Sequence, residues 1–358
     1  MPNLSTLVLR SSDIEQIIRH HGLHHVMDVL IDKLHHAIQS FDPAKNQIPI
    51  RAGFHYHHPR QGLIEWMPIH QLENQIVIKV VGYHPENPDL YSLPTILSTI
   101  SAYDPQTGHL SALVDGVLLT ALRTGASSAV ASKYMALPDS ETLGLIGCGA
   151  QAVTQLHALS RMFSFKQILY FDTDSTTQKS FEARTKMFHL EASMKGATIE
   201  DIVREADILC TATSIDVGAG PLFHDIEPQP HLHINAVGSD FPGKIELPLE
   251  LLRRSVVCPD FLMQAIKEGE CQQLKPEEIG PDWVQLIQQQ GQYSSLPEGL
   301  SVFDSTGWPL EDQIVLEIFV DYAMELGLGQ RIEIETNPKD AKNPYHSLTT
   351  DTHGVFLA

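Results

Sequence analysis

Cysteine is scarce in this chain: there are four in 358 residues, Cys148, Cys210, Cys258 and Cys271. They form no CxxC pair and lie in or beside apolar runs, which excludes a disulfide scaffold and predicts reduced thiols. No stretch reaches the roughly 18 uninterrupted apolar residues that a membrane helix needs. The opening MPNLSTLVLRSSDIEQ has neither a basic n-region nor a long apolar h-region. The expectation is a cytoplasmic chain with no membrane partner. Positive charge is also short, with 24 Lys and Arg against 44 Asp and Glu and a formal net charge of -20. Such a field repels nucleic acid, and no Lys/Arg cluster offsets it, so nucleic-acid binding is excluded as a function class. A cationic small molecule suits the field better. Histidine is plentiful, at nineteen, and densest at His55, His57 and His58 in HYHHP. No HExxH or matching Cys/His set accompanies them, so no metal is expected.

With 42% hydrophobic and 19% charged residues, the chain is long enough for two domains with sizeable cores. From Leu143 onward, short apolar runs alternate with helical segments: LGLIGCG, AVTQLHALSRMF, QILYFD, DILCTAT, HLHINAVG and SVVCP. That alternation predicts βαβ units and a parallel sheet. Before it, the span from Ile64 to Leu113 reads as strands, with the DPQTG turn closing a hairpin. Leu118 to Met135 is rich in Ala, Leu and Ser, apolar on more than one face, and predicts a buried linking helix. EDQIVLEIFVDYAMELGL predicts a long amphipathic helix ended by GLG, and NPKDAKNPYHSLTTDTHG a loose tail. The expected fold class is α/β, a Rossmann-type parallel-sheet domain over residues 125–325 plus an α+β domain with a mostly antiparallel sheet over 1–124, to which 326–358 return.

Gly147, Gly149 and Ala152 in LGLIGCGAQA form GxGxxA where a strand meets a helix, with Ala150 and Gln151 inside the turn. In that context the pattern predicts a dinucleotide site: Gly147 permits the tight turn, Gly149 lets backbone approach the pyrophosphate, and Ala152 lets helix and strand pack closely. Asp172 ends the next strand, 25 residues after Gly147, where a carboxylate accepts hydrogen bonds from the adenosine ribose and favours NAD over NADP. The competing reading is that Asp172 only starts a turn with Thr173 and Asp174. Thr211 and Thr213 after DILC, and Val237 and Gly238 after HLHINA, are the further candidates for cofactor contact. The threonines also fit as plain loop residues.

Two segments carry a resemblance: KVVGYHPENPDLYSLPT from Lys79 and LTALRTGASSAVASKYMA from Leu119. Both resemble the ornithine cyclodeaminase and mu-crystallin family, and the likeness runs from about Arg51 to Gly329. IEWMP from Ile64, HINAVGSDFPGKIEL from His233, EGECQQL from Glu268 and VFDSTGWPLED from Val302 look like the ornithine cyclodeaminase branch. The resemblance implies NAD as cofactor, a basic amino acid as substrate, and a homodimer through the antiparallel domain. It implies that Arg51, Lys79 and Arg123 hold the substrate carboxylate, that Glu65 meets the distal amino group, and that Asp240 carries protons at the reacting atoms. Lys79 is also a catalytic candidate. Charge-assisted donors, above all a guanidinium fork, suit a carboxylate taken out of water. The reaction implied is the conversion of L-ornithine to L-proline and ammonia, in which hydride leaves the substrate Cα, the δ-amino group attacks, and hydride returns.

Ser239 and Phe241 stand where the branch resembles GGDCPGK, and SIDVGAGPLF departs from its TADK-type segment. Lysine cyclisation, an amino-acid dehydrogenase or ketimine reductase, and a binding protein without turnover therefore stay open. Lys79 and Arg123 also fit as structural ion-pair partners of carboxylates such as Asp115, and Arg60 competes with Arg51 for its assignment.

Overall fold

In β-strands alternate side chains face opposite sides of the sheet, and this periodicity decides where the charges of the N-terminal half end up. The computed structural model describes residues 4–345. Seven strands come first: β1 (Thr6–Leu9), β2 (Asn46–Gln47), β3 (Ala52–Tyr56), β4 (Gly62–Gln71), β5 (Gln75–Tyr83), β6 (Ile96–Tyr103) and β7 (Leu110–Asp115). Strands β4 to β7 run antiparallel in sequence order, with the predicted hairpin joining β6 to β7. β3 pairs antiparallel with β4, Gly53 opposite Glu65, which fixes the irregular HYHHPRQ stretch as a hairpin end. β1 is the exception to the antiparallel pattern, lying parallel to β7.

One face of this sheet is covered by the helices Leu23–Gln39, Val117–Met135 and Pro309–Leu326, and Leu9, Ile69, Val77, Ile100 and Val114 are buried there. Glu65 and Lys79 share that inward face, whereas Ile64, Trp66 and Val80 point outward and remain exposed. The usual arrangement, apolar inside and polar outside, is locally inverted.

The second sheet holds β8 (Thr142–Ile146), β9 (Gln167–Phe171), β10 (Ser193–Gly196), β11 (Ile208–Thr211), β12 (His233–Ala236), β13 (Val256–Pro259) and β14 (Ser301–Asp304). Its order is β10-β9-β8-β11-β12-β14-β13 and every pair is parallel. A last strand, β15 (Gln330–Ile332), returns to the first sheet and pairs antiparallel with β1.

The helix Val117–Met135 packs on the helix Ala150–Met162 so closely that a Cβ on Gly125 would lie 2.5 Å from the Thr154 carbonyl oxygen. Its small residues therefore join the two sheets. The helix Pro309–Leu326 departs from expectation: residues 309–316 are buried on every side, so its first half is a core helix rather than an amphipathic one. It packs on the first sheet and its helices. Residues 337–345 carry only turns and bends; the rest of the expected loose tail lies outside the described residues.

Candidate active site

The carboxyl ends of the parallel strands form the edge at which an open α/β sheet meets its ligand. Gly147 has φ +92°, and a Cβ there would lie 2.5 Å from the Ala212 carbonyl oxygen, so the turn after β8 closes against the end of β11. Gly149 is the residue before the helix Ala150–Met162, and the space beside its Cα is open. Ala150 is exposed, Gln151 half-buried and Ala152 fully buried against the sheet. An open approach to a helix N-terminus fits a pyrophosphate. Asp172 accepts the Cys148 N–H at 2.7 Å and the Asp174 N–H at 2.8 Å, so it both starts a turn and ties the glycine loop to β9.

On the other side of β8, Thr211, Thr213 and Gly238 are gathered by a residue the sequence reading left without a role, Glu246. Thr211 is fully buried with its hydroxyl committed to Glu246, which makes it a support rather than a lining residue. Val237 is buried and donates its N–H to the Thr211 carbonyl.

Beyond this edge, where the helix Val117–Met135 contacts strands of both sheets, lies a cluster of buried charges. Lys79 Nζ donates to Asp312 at 2.9 Å, and both side chains are 1% exposed. Arg123 pairs with Glu311 and lies 3.2 Å from Asp312. Asp115 is not among these partners. Arg51 donates to the carbonyls of Thr306 and Gly307 and stands 3.8 Å from Glu65 and 3.1 Å from Glu268. A Cβ on Gly307 would lie 2.9 Å from Arg123, so this residue joins the two arginines. Arg60, by contrast, is exposed and paired with Glu86.

Asp240 reaches the cluster from the second sheet. It is 41% exposed at the side chain and 3.3 Å from Lys244, whose ammonium sits 4.6 Å above the Tyr83 ring. Its neighbour Phe241 packs on His55, which hydrogen-bonds Glu65 at 3.0 Å. Among the described residues, no group of three or more His, Cys, Asp or Glu is arranged to hold a metal.

Burial pushes the Glu268 carboxyl up to about 8 against the pull of Arg51, with Asp240 and Glu65 adding to the rise. Burial, then Arg123, brings Lys79 down to about 8 against Asp312. Hydrogen bonding remains incomplete: Arg51 Nε and Arg123 Nε are buried without an aligned acceptor, and Glu268 Oε1, Glu311 Oε1 and Asp312 Oδ2 without a donor. The Arg51–Glu268 and Arg123–Asp312 contacts are short enough for ion pairs but misaligned for hydrogen bonds. Unmatched buried groups of both signs are costly and mark where a ligand of mixed charge fits.

Glu268, Glu311 and Asp312 lie inside EGECQQL and VFDSTGWPLED, yet the sequence reading gave them no role. The available signal was an acidic pair opening a helix that is otherwise apolar, LEDQIVLEIF. It reads equally well as ordinary helix N-terminal acids.

The fold recurs in known proteins. L-lysine cyclodeaminase of Streptomyces rapamycinicus is 40% identical over 343 residues, covering 96% of this chain and 99% of its own. Ornithine cyclodeaminase of Agrobacterium fabrum is 31% identical over 297 residues, covering 81% of each chain. A solved lysine cyclodeaminase, described as recognising L-lysine, L-ornithine and L-2,4-diaminobutyric acid, aligns with a TM-score of 0.92 at 45% identity, over 96% of this chain and 99% of its own. An archaeal alanine dehydrogenase dimer with bound NAD aligns with a TM-score of 0.80 at 29% identity, over 92% and 100%. The sequence pattern of the ornithine cyclodeaminase/mu-crystallin family matches residues 12–326, and this chain belongs to that family.

Proposed function

We propose that this chain is an NAD-dependent cyclodeaminase, which closes a basic diamino acid into a ring, releases ammonia and leaves no net redox change. The observation that carries the reading is the buried cluster of opposite charges, Arg51, Lys79 and Arg123 beside Glu65, Glu268, Glu311 and Asp312, whose hydrogen bonding is incomplete and which suits a ligand carrying both a carboxylate and ammonium groups. Glycine turn, open helix N-terminus and Asp172 fit a dinucleotide, and bound there NAD supplies the acceptor for a hydride from the substrate Cα and its later donor to the cyclised carbon. Arg123, Lys79 and Arg51 orient the substrate carboxylate. Glu65 and Glu268 hold the distal ammonium until it gives up a proton. Asp240, half-exposed at the mouth, exchanges protons between the site and solvent: the α-ammonium loses one before hydride leaves, the distal ammonium loses one before it attacks and the ring nitrogen one afterwards, and the departing nitrogen gains one and leaves as ammonia. Enclosure brings amine and α-carbon together as intramolecular partners.

L-lysine, closed to L-pipecolate, is the first substrate, supported by the 40% and 45% identities to lysine cyclodeaminases. L-ornithine, closed to L-proline, is the second reading, supported by the 31% identity to an ornithine cyclodeaminase and by the solved relative's recognition of both amino acids. The outward face of the first sheet, with Ile64, Trp66, Val80 and Leu97 exposed beside Phe54, supports a homodimer through that surface.

The test is to incubate the protein with a trace of NAD and L-lysine, L-ornithine or L-alanine, following ammonia, cyclic product and reduced cofactor together. Ammonia with pipecolate or proline and no growth of NADH is expected. NADH rising in step with ammonia, from any of the three, replaces the reading by a net dehydrogenase.

A further inference from the structure

Glu246 is fully buried and, among the described residues, has no cation within ion-pair distance. Its carboxylate instead collects four donors. One oxygen accepts the Thr213 N–H at 2.9 Å and the Thr213 hydroxyl at 2.7 Å; the other accepts the Thr211 hydroxyl at 2.6 Å and the Gly238 N–H at 2.9 Å. Two of the donors are backbone amides, which cannot reverse their role, so the set favours the ionised carboxylate against the burial that raises its pKa. Its own N–H is held by Glu270 at 2.7 Å, and the Glu270 N–H by Asp304 at 2.8 Å. A buried carboxylate is an expensive way to stabilise a fold, because an apolar side chain of the same size avoids the desolvation cost. The arrangement is also sterically specific. A Cβ on Gly238 would lie 2.3 Å from the Glu246 oxygen, so only glycine admits the carboxylate so near the backbone.

The segments that Glu246 ties together leave the carboxyl ends of β11 and β12. In the sheet order, β9, which Asp172 follows directly, lies on one side of β8 and its glycine turn, and β11 with β12 on the other. A dinucleotide whose pyrophosphate sits at that turn, and whose adenosine ribose sits at Asp172, lays its nicotinamide half over β11 and β12. Asp240 follows Gly238 by two residues. Its loop is closed further by the Ser239 hydroxyl, which donates to the Lys244 carbonyl at 2.5 Å.

We propose that Glu246 is a positioning residue, which holds Thr213 and Gly238 as the floor beneath the nicotinamide ring and, through Gly238, sets the place of Asp240. The proposal rests on the NAD reading given above. Glu246→Gln keeps the size of the side chain but turns an amide NH2 toward one of the two backbone N–H groups, which then loses its acceptor. Calorimetric titration of wild type and variant with NADH and with ADP-ribose, which lacks the nicotinamide ring, separates positioning from general damage. NADH affinity is expected to fall at least tenfold and ADP-ribose affinity to change less than twofold. Thr213→Val removes one hydroxyl donor, is expected to give the same pattern at about threefold, and serves if the glutamine variant does not fold. Equal losses for both ligands, or no loss for NADH, overturn the positioning role. Wild type that binds neither ligand overturns the dinucleotide reading instead.

Discussion

Replacing Glu268 with glutamine keeps the volume of the side chain and removes its titration. Glu268 is 2% exposed, its Oε1 lies 3.1 Å from Arg51 Nε, and burial lifts its carboxyl to about 8. At pH 7 the ligand-free site therefore holds the acid form by about ten to one. An entering ammonium draws out that proton and gains a buried ionic partner. Breaking such a pair from one side costs about 3 kcal/mol, or roughly 150-fold in affinity. At pH 7 the wild type must first lose the proton, which removes about a factor of ten, so the variant should bind L-lysine about 15-fold more weakly at pH 7 and about 150-fold at pH 9. Calorimetry in buffers of different ionisation heat should find close to one proton released per lysine bound by wild type at pH 7, and none by Glu268→Gln. The stability of the free protein moves with the opposite sign. A carboxyl raised in the fold favours the folded state below its unfolded value of about 4.3 and loses that contribution as pH rises through about 8. Wild type should therefore fall in melting temperature relative to the variant between pH 5 and pH 9. A pH-independent loss of affinity, or no proton released, would refute the reasoning.

Gly149→Ala should leave the melting temperature within about 2 °C, because nothing lies within 4 Å of the added methyl, yet weaken NAD at least tenfold in a fluorescence titration. Gly147→Ala should unfold at distinctly lower temperature, since its Cβ meets the Ala212 carbonyl at a φ of +92°. Asp240→Asn should lower kcat by about 10² to 10⁴ in an ammonia assay with KM changed less than about threefold, as expected of a proton carrier. Trp66→Glu should convert the proposed dimer to monomer by light scattering, because Trp66 lies on the outward face of the first sheet with Ile64, Val80 and Leu97, all partly exposed among the described residues.

Much of the second sheet was readable because its physics is local. The runs of β8, β9 and β11 are buried on both faces and therefore mostly apolar, whereas β12 carries His233 and Asn235 buried between its apolar residues. The glycine turn declares itself by spacing. β10 escaped notice because SMKG is short, mostly exposed edge strand with no apolar pattern. The first sheet was readable as strands but not by face: in IEWMP the apolar residues Ile64 and Trp66 point to solvent and Glu65 points inward, against ordinary binary patterning. Only packing against the helix Pro309–Leu326 shows why, since that helix supplies Glu311 and Asp312 to meet Arg123 and Lys79. Lys79 and Asp312 are 233 residues apart in sequence. No local pattern announces such a pairing, and the same holds for Glu246, whose partners come from two other strand ends.

The central claim is that hydride leaves and returns to the same carbon around an acid-lined diamino-acid site. Turnover of L-lysine deuterated at C2, with a trace of unlabelled NAD and mass spectrometry of the product, tests it most directly. The account predicts pipecolate that keeps the deuterium at C2 while ammonia forms in equal amount and no reduced cofactor accumulates. Pipecolate with hydrogen at C2, or deuterium collecting on reduced cofactor in step with ammonia, would contradict it.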